Sequence, residues 1–218
     1  MDRSRLEAFS DGVFAVAITL LALNLTVAGF GHGELTHQLR ADWPHFVAYL
    51  ISFFMIGIVW VNHHVLVRGI AVVNRTLLFL NLVLLLFVVM IPFATATVAG
   101  YLAVHSQHAH RDTQVAMMLY GGVFLGMSVG FAGIFEWTLH GERMYQRLPA
   151  DKHWAARARF AGGGLVYLVA IVIANFYAIA SFVIIALVAV YYVVERTPDA
   201  YKAPGGDASA DPGAPDGF

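Results

Sequence analysis

The chain has 218 residues, of which 59% are hydrophobic and 12% charged, where a soluble globular domain runs at about 45–50% and about 25%. So little charge could not cover a compact particle of 23.8 kDa, and with a mean hydropathy of +0.70 the sequence reads as an integral membrane protein rather than a water-soluble enzyme. The absence of cysteine removes disulfides, cysteine nucleophiles and Cys-type metal sites, and a net charge of -1 leaves no basic footprint for nucleic acid.

Six apolar stretches approach the ~20 residues that cross ~30 Å of hydrocarbon as a helix. They lie at about Ala8–Gly29, Phe46–Val67, Leu77–Leu102, Val115–Leu139, Phe160–Ala174 and Tyr177–Val194, with Asn175-Phe176 as the turn between the last two. Only helices and closed barrels satisfy every backbone amide in lipid, and these runs lack the period-two alternation of barrel strands. The first span has basic Arg3 and Arg5 ahead of it as a signal peptide would. Asp2, Glu7 and Asp11 interrupt that pattern and no small-x-small cleavage site follows Val27, so the span is read as retained.

Lysine and arginine set the orientation. With the N-terminus in the cytoplasm, Arg3, Arg5, Arg68, Arg75, Arg143, Arg147, Lys152, Arg157, Arg159, Arg196 and Lys202 fall inside, and only Arg40 and Arg111 outside. Both termini are then cytoplasmic. Residues 1–196 form the membrane domain, and the Pro-, Gly-, Asp- and Ala-rich residues 197–218 a disordered tail. The loops at about Phe30–His45 and Leu139–Arg159 are too short to be soluble catalytic domains.

Four features invite chemistry and do not support it. Gly126-Met127-Ser128-Val129-Gly130 spells the G-x-S-x-G elbow, but inside a span; Gly122, Gly126 and Gly130 read instead as a small-xxx-small packing ridge. Thr97-Val98-Ala99-Gly100-Tyr101 departs from the T-V-G-Y-G filter by an inserted alanine and a missing final glycine, and reads as a helix end with an interfacial tyrosine. His105, His108 and His110 have no cysteine close by and read as a solvated loop, while adjacent His63 and His64 point ~100° apart on a helix and cannot share an ion. No enzyme, cofactor or structural metal is expected.

Polar groups inside a span are functional suspects. The first helix carries Arg5, Glu7, Ser10 and Asp11 at its entrance, then Thr19 and Asn24; Trp60, Asn62, His63 and His64 in the second and Asn81 in the third lie at similar depth. A buried Asp11 needs a partner, with Arg5, His63 and Asn81 as candidates. Arg5, Phe9, Gly12, Val16, Leu20, Leu23 and Val27 form one stripe at spacings of three and four, which periodicity alone assigns to the core.

Arg5-Leu6-Glu7-Ala8-Phe9-Ser10-Asp11 fits R-x-x-x-F-S-D, Trp60 and His63 stand at W-x-x-H spacing, and Pro92-Phe93 follows Asn81 by eleven residues. In these features the chain resembles the transmembrane protein 175 family of lysosomal potassium channels and their bacterial relatives, with the single six-helix repeat of the prokaryotic branch. The resemblance implies an all-α homotetramer in a bacterial plasma membrane, four first helices lining a pore without a P-loop. By position it places the hydrophobic constriction at Val16, Leu20 and Leu23, with the Thr19 hydroxyl near the neck. Arg5, Phe9, Ser10, Asp11, Trp60, His63 and Asn81 would brace the pore helix. Where Val16 stands the family commonly has isoleucine, so the innermost gate would be wider and selectivity weaker. The implied activity is a weakly selective potassium leak working by partial dehydration, with sodium and protons as further candidate ions. The alternative is a proton-coupled secondary transporter using Asp11 and His63. Such carriers usually have Gly- or Pro-broken midplane helices, and the first helix has neither break.

Overall fold

The computed structural model describes residues 2–25, 34–103, 109–140, 143 and 150–194. Its order is α1 (Arg3–Leu23), α2 (Leu35–Ala41), α3 (Trp43–Arg68), α4 (Arg75–Ala103), α5 (Ala109–Leu139), α6 (Ala150–Ala174) and α7 (Ala178–Val194). Of these, α1, α3, α4 and α5 are long and apolar enough to cross a membrane, and Gly162–Ala174 and Ala178–Tyr192 are shorter apolar helices. The expected turn at Asn175-Phe176 is present.

Two expected loops contain helix. The short α2 occupies part of the Phe30–His45 segment, and α6 begins ten residues ahead of the apolar run at Phe160. Both extra helical segments are polar or charged, so a search for apolar runs does not see them. At its other end α1 stops at Leu23, short of Gly29. Asn24 closes it, donating from Nδ2 to Leu20 O (3.4 Å) and across to Pro92 O in α4 (3.3 Å). Asn74 caps α4, accepting the Leu77 N–H at 3.0 Å. His105, His108 and the expected tail 197–218 lie outside the described residues.

The pair α4·α5 is the most closely packed, followed by α5·α6 and α6·α7, while α1 lies in the groove between α3 and α4. Glycine sets the α4–α5 spacing. A Cβ on Gly126 would collide with the Phe87 ring, and one on Gly130 would stand 3.0 Å from Leu84 Cα. Gly122 has nothing within 4 Å, so the expected ridge is two glycines long rather than three; Gly121 takes a close contact instead, with Ile171 of α6. Beneath this seam Tyr120, Phe124, Met55, Ile56, Leu84 and Ile91 are fully buried. A hydroxyl chain ties three helices at this level: Ser52 Oγ lies 2.7 Å from Thr95 Oγ1 and 2.8 Å from Tyr120 Oη. Thr97–Tyr101 continues α4 without a re-entrant break, and the G-x-S-x-G run lies wholly within α5.

Candidate functional site: the first helix and its brace

Helix α1 is apolar on two sides, and polar contacts decide which one faces its own bundle. Leu6, Ser10, Phe14, Ala17 and Leu21 are buried. The opposite stripe is exposed, with Phe9 at 51%, Val16 at 54%, Leu20 at 38% and Leu23 at 72% relative accessibility. Arg5 and Gly12 share that face, and a Cβ on Gly12 would meet nothing within 4 Å. The stripe therefore is not the core of the subunit, against the assignment periodicity alone makes. Period 3.6 locates a stripe but cannot say what covers it. Thr19, on the same outward side, donates its hydroxyl to Val16 O at 2.9 Å.

The buried side is held by a chain of hydrogen bonds. Ser10 Oγ–H donates to Leu6 O (2.9 Å) and its oxygen accepts Asn81 Nδ2–H (3.0 Å). Asn81 Oδ1 in turn lies 2.8 Å from His63 Nε2, which makes that nitrogen the protonated one. His63 is fully buried, with the Phe14 ring centroid 5.4 Å from its own. One turn towards the helix start, Trp60 Nε1–H donates to Asp11 Oδ1 at 2.9 Å. Five of the seven expected bracing residues thus meet. Arg5 and Phe9 do not join them, because both lie on the exposed stripe. Asp11 takes the Trp60 indole rather than Arg5, His63 or Asn81.

Sequence reasoning missed the rest of this end. His64 Nδ1 lies 2.9 Å from Glu7 Oε1, Arg68 Nε donates to the same oxygen at 3.4 Å, and Arg3 Nη1 donates to Arg68 O at 3.0 Å. Arg3, Glu7 and Asp11 are four apart on α1, as are Trp60, His64 and Arg68 on α3. Each set is one ladder, and the rungs run in opposite directions, so α1 and α3 are antiparallel. That spacing was readable in the sequence. Ser10 with Asn81, and Asn24 with Pro92, give α1 and α4 a parallel register. The start of α1, the end of α3 and the start of α4 therefore share one end of the bundle. Arg143 joins that end through its carbonyl, which accepts Ala71 N–H at 2.7 Å.

The profile of the family described as endosomal/lysosomal potassium channel TMEM175 matches residues 5–92, the segment that contains this brace. A potassium channel of Streptomyces collinus is 40% identical over 199 residues, covering 90% of this chain and 94% of the relative. The chain belongs to the TMEM175 family. A potassium channel of Chamaesiphon minutus is 36% identical over 174 residues, covering 78% of this chain and 82% of the relative. The crystal structure of a lysosomal potassium-selective channel TMEM175 homolog from that organism superposes with a TM-score of 0.75 at 33% identity, covering 88% of this chain and 96% of that one. The resemblance read from R-x-x-x-F-S-D and W-x-x-H is thereby established.

Proposed function

We propose that the protein is a weakly selective potassium leak channel of a bacterial plasma membrane, built from four copies with six spans each and both termini in the cytoplasm. The observation that carries this is the two-sidedness of α1. Its polar side is locked into the bundle by Ser10, Asn81, His63, Asp11 and Trp60, while Val16, Leu20 and Leu23 face away from it. A helix fixed so firmly with an apolar stripe outward is suited to meet its own copies around a symmetry axis. The names of the bacterial relatives support potassium as the ion. The residues Arg3, Arg68, Arg75 and Arg143, gathered at or beside one end of the bundle, support placing that end in the cytoplasm.

In this reading Val16, Leu20 and Leu23 form successive apolar rings that gate by dewetting. An ion passing Leu20 sheds part of its water. Potassium holds its shell less tightly than sodium and pays less at the neck, which gives a modest preference. Thr19 adds a hydroxyl oxygen at that level. Recording purified protein in planar bilayers under a potassium/sodium gradient tests the reading. Potassium-preferring currents far above carrier turnover, independent of any proton gradient, are expected. Flux that requires a counter-ion gradient would replace the channel with a carrier.

A further inference from the structure

We infer that Glu7, Asp11 and His64 form a binding site for a divalent transition cation, at the end of the bundle where α1 begins and α3 ends. One ligand atom from each lies within 4.8 Å of the other two, and the set bridges two helices. The side chains of Glu7 and His64 are partly exposed, at 19% and 26%, so the cluster lies at the edge of the bundle rather than in its core.

The decisive detail is the relation of His64 to Glu7. The His64 Nδ1 atom is shielded from solvent and has no hydrogen bond, although Glu7 Oε1 is only 2.9 Å away. The oxygen lies off the line along which an Nδ1–H would point. Two ligand atoms bonded to one ion at about 2.1 Å stand about 3.4 Å apart at the tetrahedral angle and about 3.0 Å apart at right angles, in each case with either atom well off its neighbour's bond axis. The separation therefore suits a shared ion where it does not suit a shared proton. Asp11 gives Oδ1 to Trp60 and keeps its second oxygen as a further ligand atom. Arg68 is the resident counter-charge, with its Nε 3.4 Å from Glu7; its side chain is 66% exposed and can swing into solvent when an ion takes its place.

One imidazole with two carboxylates suits Zn2+, Co2+ or Ni2+, whereas Mg2+ and Ca2+ favour all-oxygen sets. A bound ion would join α1 to α3 beside the Asp11–Trp60 contact. This inference concerns binding alone and stands independently of conduction.

The test uses the full chain purified without a histidine tag, titrated with Co2+ by visible absorbance and with Zn2+ by calorimetry. One ion per chain is expected, unaffected by excess Mg2+. Loss of an outer partner of a metal ligand commonly weakens binding about 10–100-fold, so removing a ligand in His64→Gln or Glu7→Gln should weaken it about 100-fold or more. Arg68→Ala, which removes the competing cation, should tighten it severalfold and does not depend on the ligand variants folding. A triple His105→Ala, His108→Ala, His110→Ala variant should bind as the wild type does. Unchanged binding in His64→Gln, no tightening in Arg68→Ala, or loss of binding in the triple variant would each overturn the assignment.

Discussion

Asn81 of α4 uses both ends of its amide at once, donating to Ser10 Oγ of α1 at 3.0 Å and lying 2.8 Å from His63 Nε2 of α3 through Oδ1. All three side chains are buried, so one residue joins three helices where no water can substitute. Asn81→Leu removes both bonds and strands the imidazole N–H, at about 1–3 kcal/mol for each buried group left unpaired. Ser10→Ala removes one of these two bonds and strands the Asn81 Nδ2–H, but keeps the Asn81–His63 bond. Thermal unfolding of detergent-solubilised protein should rank Asn81→Leu below Ser10→Ala, and Ser10→Ala below the wild type. Equal melting temperatures for all three would show that the bridge does not hold α1.

Asp11 accepts from the Trp60 indole, and an asparagine at 11 can still accept that bond without the charge. Charge-assisted hydrogen bonds are about twice as strong as neutral ones. Asp11→Asn should therefore lower the yield of assembled protein while leaving the potassium/sodium permeability ratio in place, and Trp60→Phe should do the same more severely. An intact assembly with abolished current in Asp11→Asn would move Asp11 from the brace into the ion path.

How much of this could be read in advance follows from helix geometry. Ser10, Asp11, His63 and Asn81 were recognisable because polar groups at one depth in three spans must find one another. Their pairing was not, because depth says nothing about azimuth. At about 100° per residue, Arg5 lies about 200° round the helix from Glu7 and cannot join the face that carries Glu7 and Asp11. The outward turn of Val16, Leu20 and Leu23 was hidden for a related reason: α1 is apolar on both sides, and the polar contacts of Ser10 with Asn81 and of Asp11 with Trp60 choose between them. The Glu7–His64–Arg68 end was legible as two four-residue ladders, but the adjacent His63–His64 pair was weighed only for a shared ion, which its ~100° separation excludes, and the two rings were not assigned different partners.

Gly126 and Gly122 differ sharply in what a methyl group would meet. At Gly126 it would run into the Phe87 ring, whereas at Gly122 it would find nothing within 4 Å. Overpacking a fitted contact costs about 1–3 kcal/mol. Gly126→Ala should lower the unfolding temperature by several degrees and Gly122→Ala should leave it unchanged or raise it, since alanine is the better helix former. If the two variants melt alike, the close approach of α4 and α5 does not depend on glycine.

The stripe on α1 makes a graded prediction about conduction. If Val16, Leu20 and Leu23 are successive rings, the narrowest should govern both the rate of passage and the dehydration that discriminates ions. Leu20→Ala and Leu23→Ala each remove three carbons per subunit from a ring, so water re-enters the neck. Current should rise and the potassium preference should fall, because an ion that keeps its shell is no longer compared by how tightly it holds it. Val16→Ile works in the opposite sense, adding one methylene per subunit, and should reduce current while sharpening the preference. Reversal potentials in bilayers under a potassium/sodium gradient read both quantities. The three side chains are exposed on the isolated subunit, so these substitutions spare its core and should not be confused with unfolding. Permeability ratios that do not move in any of the three variants would take the stripe out of the ion path, whatever the size of the current.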